Sequence, residues 1–90
     1  MMNASARKIA ITPGYRLQWE PVQNAHVLLY PEGMIKLSPS AAEILLQCDG
    51  ERDADAIIAV LQAKFPGADL AEDVHEFLEV ADDNGWINRG

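Results

Sequence analysis

The sequence predicts an α+β domain, a three-stranded antiparallel meander followed by three α-helices. Three observations lead to it. Residues 15–37 hold short apolar or alternating runs separated by turn residues. At Ser38 the apolar spacing changes to that of a helix and stays so to Asn84. Ninety residues allow one small domain, which buries only about 60–65% of its unfolded surface, so the elements must share one core.

Met1–Ala6 reads as a loose tail and Arg7–Pro13 as an extended arm ended by a proline, so residues 1–14 form a flexible N-terminal arm and 15–90 the domain. In Tyr15–Trp19 the residues Tyr15, Leu17 and Trp19 alternate with Arg16 and Gln18, the pattern of a half-buried strand. Pro21 to Ala25 supplies a turn, and His26–Tyr30 is apolar and rich in strand formers. Pro31-Glu32-Gly33 is a tight reversal, with the proline pre-setting φ and the glycine free to take a positive φ. Met34–Leu37 returns as the third strand.

Ser38-Pro39 then starts a helix, serine as N-cap and proline in the first turn. Ala41, Ile44, Leu45 and Cys48 make its apolar face, and Asp49-Gly50 closes it. Asp53 caps the second helix, whose inner face is Ile57, Ile58, Leu61 and Phe65 and which Pro66-Gly67 ends. The third runs from about Leu70 to Asn84, with Leu70, Val74, Phe77, Leu78 and Ala81 inward, and Gly85 stops it. Trp86-Ile87 folds back onto the core.

Charge excludes whole classes of function. Fourteen acids against seven bases give −7, but residues 1–40 sum to +2 and residues 41–90 to −9. Asp69–Asp83 alone holds seven acids and no base. Such a surface repels phosphates, which argues against nucleic acid and anionic membranes. The longest apolar run, Ala56–Leu61, is six residues, far below the roughly 20 of a membrane helix. No apolar segment follows Arg7 and Lys8, so no secretory signal is expected, and one cysteine suits a reducing cytoplasm.

Catalytic groups are scarce. Cys48 lies on an apolar helix face with no basic neighbour, which reads as a structural thiol. His26 and His75 are 49 residues apart, not a metal-ligand spacing, and His75 stands among carboxylates. The six glycines form no phosphate cradle. The chain is therefore expected not to be an enzyme, with no cofactor and no metal.

Two features stay open on residues alone. In a three-stranded meander the Met34–Leu37 strand is an edge, either a short one blunted by Lys36 or a place where an extended peptide adds as a further strand. The acidic third helix is either a solvated face or the flank of a groove for a partner bearing basic or amide groups.

Leu28-Leu29-Tyr30-Pro31-Glu32-Gly33-Met34-Ile35-Lys36-Leu37-Ser38, then Ala41-Ala42-Glu43-Ile44-Leu45 and Cys48-Asp49-Gly50, closely resemble the PqqD family of pyrroloquinoline quinone (PQQ) biosynthesis. Asp73-Val74, Phe77-Leu78 and Asn84-Gly85-Trp86-Ile87 continue the likeness, which spans roughly Tyr15 to Ile87. The resemblance implies a winged helix-turn-helix-like fold without catalytic activity. It implies a RiPP precursor-peptide recognition element: a peptide chaperone that binds the ribosomal precursor PqqA and presents it to PqqE, a radical S-adenosylmethionine enzyme. In relatives of that fold the leader peptide adds as a strand beside the third strand and packs on the third helix.

Carried over by position, the backbone of Met34, Ile35, Lys36 and Leu37 pairs with the peptide. Asp73, Glu76, Phe77 and Val80 form the opposing wall: Phe77 and Val80 for apolar side chains, Asp73 or Glu76 for a lysine or amide. Tyr15, Arg16, Trp19 and Glu32 are weaker candidates for contact with the enzyme. The alternative is a small-molecule (quinone) binding protein of the same pathway, though no basic cluster is present to meet a tricarboxylate. A transcriptional regulator is disfavoured by the acids of the third helix. A monomer in solution is expected, with dimers or strand swaps open to a crystal. Ile35→Pro is expected to remove an edge donor.

Overall fold

The computed structural model describes residues 7–90, so the expected tail over Met1–Ala6 lies outside the described residues. The elements run β1 (Ile9–Ile11), β2 (Arg16–Glu20), β3 (Ala25–Tyr30), β4 (Gly33–Lys36), α1 (Pro39–Leu45), α2 (Ala54–Lys64), α3 (Ala71–Asp83) and β5 (Ile87–Arg89). The expected meander is the antiparallel sheet β2-β3-β4, and three helices follow it.

The turns of the meander use different chemistry from that expected. Gly33 takes no positive φ; it is the first residue of β4, paired with Tyr30, and Pro31-Glu32 alone make the reversal. The left-handed residue is Asn24 at φ 51°, in the Pro21–Asn24 turn, where Asn24 N–H donates to the Pro21 carbonyl at 3.1 Å. Asparagine tolerates that conformation better than any other non-glycine residue save aspartate.

A second sheet was not foreseen. β1 pairs antiparallel with β5, Ile11 opposite Ile87, so the expected N-terminal arm is extended but not free. Its other side is also held: Ile9 N–H donates to the Arg52 carbonyl and Gly50 N–H to the Ile9 carbonyl, each at 2.9 Å. Asp49-Gly50 therefore does not close α1, which ends at Leu45. It binds β1 through the Ala10–Asp49 bridge. Three apolar residues in a row carry too little pattern to separate a strand from an arm.

Gly85 sends the chain back to β1. At φ 78° it follows the α3 cap Asn84, its N–H donates to the Asp82 carbonyl at 3.0 Å, and Trp86 N–H donates to Ala81 at 2.9 Å. These two bonds are a Schellman motif, which satisfies orphan helix carbonyls while reversing the chain. Ile87 is thereby buried beside Ile9.

The core lies between the inner face of the meander, the helices and the second sheet. Leu28, Leu45, Ile57, Leu78, Val74 and Ile9 are its best-covered large side chains. Ser38 accepts from Ala41 N–H at 3.2 Å and Asp53 from Ala56 N–H at 2.8 Å, the two caps read from sequence. Leu70, where α3 begins, has no capping side chain. Gln62 of α2 substitutes: its amide oxygen accepts from Leu70 N–H at 3.0 Å and its NH2 donates to the Ala68 carbonyl.

Candidate functional site

The four residues expected to pair with a peptide, Met34–Leu37, lie along β4 and one residue past it. Among the described residues β4 pairs only with β3. Leu37 N–H donates to the His26 carbonyl at 3.0 Å, which sets which backbone groups point inward. Groups alternate sides along a strand, so Leu37 and Ile35 face β3 while Lys36 and Met34 turn their N–H and C=O to the open edge. Ile35 therefore carries no edge donor, and Ile35→Pro would break the meander itself. The side chains agree: Ile35 packs on the core, Leu37 is buried, Lys36 is exposed and Met34 is half exposed.

The chain leaving β4 becomes one wall of a cleft of about 620 Å³. Ser38–Ala41 form that wall, Asp73, Val74 and Phe77 of α3 the other, with Ile44, Leu61, Phe65 and Leu70 between. Of the expected wall residues, Asp73 and Phe77 are brought into it; Glu76 and Val80 are not. Both are exposed one turn further along the same helix side, so they extend the face beyond the cleft. Phe77 serves groove and core together: it packs on the core and lies against Trp86 with ring centroids 6.4 Å apart. Phe65, expected inward, is 41% exposed at the cleft because α2 ends there.

Electrostatics divide the cleft rim. Lys64 of α2 and Glu43 of α1 form an exposed ion pair at 2.8 Å. Asp73 has no base within 4 Å among the described residues, nor do Glu72, Glu76 and Glu79. An open carboxylate beside an apolar floor suits a peptide that offers an apolar side chain next to a cation or amide. It does not suit a tricarboxylate.

The weaker candidates are dispersed. Tyr15 stacks on Tyr30 at 5.5 Å, Arg16 is exposed on the outer edge strand β2, and Glu32 is exposed in the β3–β4 turn. Trp19, expected on the buried side of an alternating strand, is 49% exposed, held edge-on by His26 at 5.1 Å. The core ends before it.

Cys48 is buried and donates from Sγ to the Ile44 carbonyl at 3.4 Å. Burial, with the Asp49 carboxylate adjacent, pushes its thiol up to about 12. The described residues hold no group of three or more His, Cys, Asp or Glu placed to bind a metal, and no helix long and apolar enough to cross a membrane.

A winged helix-turn-helix-like fold with an open edge strand and a neighbouring cleft is the fold of the RiPP recognition elements. The chain superposes with a TM-score of 0.74 on the solution structure of the PqqD truncation of Methylobacterium extorquens PqqCD, described as a functional and stand-alone RiPP recognition element. That match is 26% identical and covers 98% of this chain and 100% of the other. The same fold occurs in the heterocyclase TruD, where it matches 12% of that chain at 21% identity with a TM-score of 0.71. Residues 25–87 match the family described as Coenzyme PQQ synthesis protein D (PqqD). The chain is 61% identical over 75 residues to the PqqA binding protein of Azotobacter vinelandii, covering 82% of each. It is 54% identical over 80 residues to that of Klebsiella pneumoniae, covering 88% of this chain and 87% of the other. The chain belongs to the PqqD family.

Proposed function

We propose that this chain is a non-catalytic peptide chaperone of PQQ biosynthesis, which binds the precursor PqqA by strand addition to β4 and presents it to PqqE in the cytoplasm. The observation that carries the reading is the free β4 edge, with the outward backbone of Met34 and Lys36, ending at an apolar cleft with an unpaired carboxylate. Kinship with proteins named for PqqA binding supplies the peptide. Backbone bonds to Met34 and Lys36 hold the peptide extended, and side chains sort it: Phe77 takes an apolar residue and Asp73 a cation or amide. Glu76 and Val80 extend that contact along α3. Because the protein brings no reactive group, its contribution is to raise the effective concentration of the peptide at the enzyme and to hold it in one conformation.

Calorimetric titration with PqqA tests this. Micromolar or tighter binding is expected for the wild type. Lys36→Pro removes an outward donor and no bond within the meander, and proline is tolerated on edge strands. Its affinity is expected to fall at least about tenfold, the worth of a hydrogen bond and the strand register, with thermal stability nearly kept. Wild-type affinity in the folded Lys36→Pro protein would rule out pairing at β4.

A further inference from the structure

The first turn of α1 is a ridge with a hollow on each side. One is the cleft proposed for the peptide. The other, about 670 Å³, is opened by Trp19, His26, Lys36, Pro39 and Leu46. The two share Ser38, Pro39 and Glu43 as lining residues, so they meet across the ridge.

Two large apolar side chains stand open in the second hollow, Trp19 at 49% and Leu46 at 46%. Trp19 does not lack a position: the edge-on contact with His26 fixes the indole. Its register opposite His26 places it on the same side of the meander as Leu28, the side the helices cover, and yet it is left half exposed there. A fixed and half-exposed indole facing an exposed leucine across a cleft is an unfilled apolar seat.

We infer that this seat is a second subsite for the same bound peptide and takes one of its aromatic or branched apolar side chains. The inference rests on strand addition at β4. Continuity with that edge points to the peptide as occupant: Lys36 is both the last residue of β4 to present its backbone to the open edge and a wall of the hollow. A strand paired with Lys36 therefore arrives at the wall of the hollow, with Trp19 of β2 two strands further in. At 3.2–3.4 Å per residue, only a few residues past the paired segment are needed to enter a hollow of this size.

The surroundings of the two subsites differ in charge. Asp73 and its acidic neighbours flank the first, while the one carboxylate lining the second, Glu43, is already paired with Lys64. A peptide with its basic end toward α3 and an apolar end toward Trp19 fits in one direction only. The second subsite thus fixes peptide direction, which a strand edge alone leaves to be parallel or antiparallel.

The chain's two tryptophans report the two subsites separately, Trp86 through Phe77 and Trp19 directly. Fluorotryptophan-labelled protein is titrated with PqqA and read by fluorine NMR, with the Trp19 signal assigned by Trp19→Phe and the Met34 and Lys36 amides followed in parallel. Expected is a Trp19 shift that saturates together with those amides. Trp19→Ala is expected to weaken binding about five- to tenfold, as loss of one aromatic anchor does, with the β4 amides still shifting at saturation. Leu46→Ser repeats the measurement should Trp19→Ala fail to fold. Shifts at Met34, Lys36 and Trp86 with Trp19 unmoved, and wild-type affinity in the variants, would overturn the second subsite and leave strand addition standing. A Trp19 signal that moves only when PqqE is added would assign the seat to the enzyme and overturn the proposal as well. Saturable PqqA binding that leaves β4 silent would overturn both.

Discussion

At the scale of one residue, burial holds the Cys48 thiol in its protonated form well above neutral pH. Its ordinary pKa is 9.0 and the folded value is about 12, so the folded state keeps a proton that the unfolded chain releases. The stability this gives is fully present below pH 9.0 and is lost as pH rises toward 12, at no more than about 1.4 kcal/mol per pH unit. Denaturant titrations at pH 7 and pH 11 are expected to show that loss in the wild type and less of it in Cys48→Ala. An equal loss in both would place its origin elsewhere. Gln62 is the other residue whose role lies outside itself, since α3 begins at Leu70, which has no side-chain cap of its own and whose N–H donates to that amide. Gln62→Ala is expected to cost about 1 kcal/mol, with faster amide exchange at Leu70 and the first turn of α3. Unchanged exchange there would mean the helix needs no such support. No sequence rule marks Gln62, because a capping residue eight positions upstream on another helix has no local signature.

Among the elements, legibility followed periodicity. The helices were readable because Ile44, Leu45, Ile57, Leu61, Val74 and Leu78 repeat at helical spacing and are buried as that spacing requires. The caps Ser38 and Asp53 and the stop at Gly85 were readable because each satisfies a known orphan group. β1 and β5 were not, since three residues each show no period and their pairing spans the whole described chain. Ile9 in β1 is nevertheless 1% exposed. Ile9→Ala is expected to lower stability by about 2–5 kcal/mol by chemical denaturation, the range for a large buried side chain. A change below 0.5 kcal/mol would return this segment to the status of a free arm. The β4 edge shows the same limit: a sequence names the strand, but only register tells Ile35 from Lys36. Ile35→Pro is expected to unfold or strongly destabilise the protein where Lys36→Pro does not, as read by thermal melts.

At the scale of the molecule, shape and charge point to different partners. Helix-turn-helix geometry is shared with DNA readers, but the face of α3 carries acids where a reader needs cations. The peptide reading reconciles the two. In the proposed complex the edge strand would supply sequence-independent bonds, and the cleft beside Phe77 with the acids of α3 would supply selection. The candidate wall was half legible. Asp73 and Phe77 share a cleft because they lie one turn apart on a helix face, whereas its floor, Ile44, Leu61, Phe65 and Leu70, is assembled from three helices whose mutual placement no spacing gives.

Residue-resolved amide NMR during titration with PqqA tests the central claim most directly. The account predicts shifts concentrated at Met34 and Lys36 of β4 and at Asp73 through Val80 of α3, saturating together. Saturable binding with those residues unmoved would contradict it.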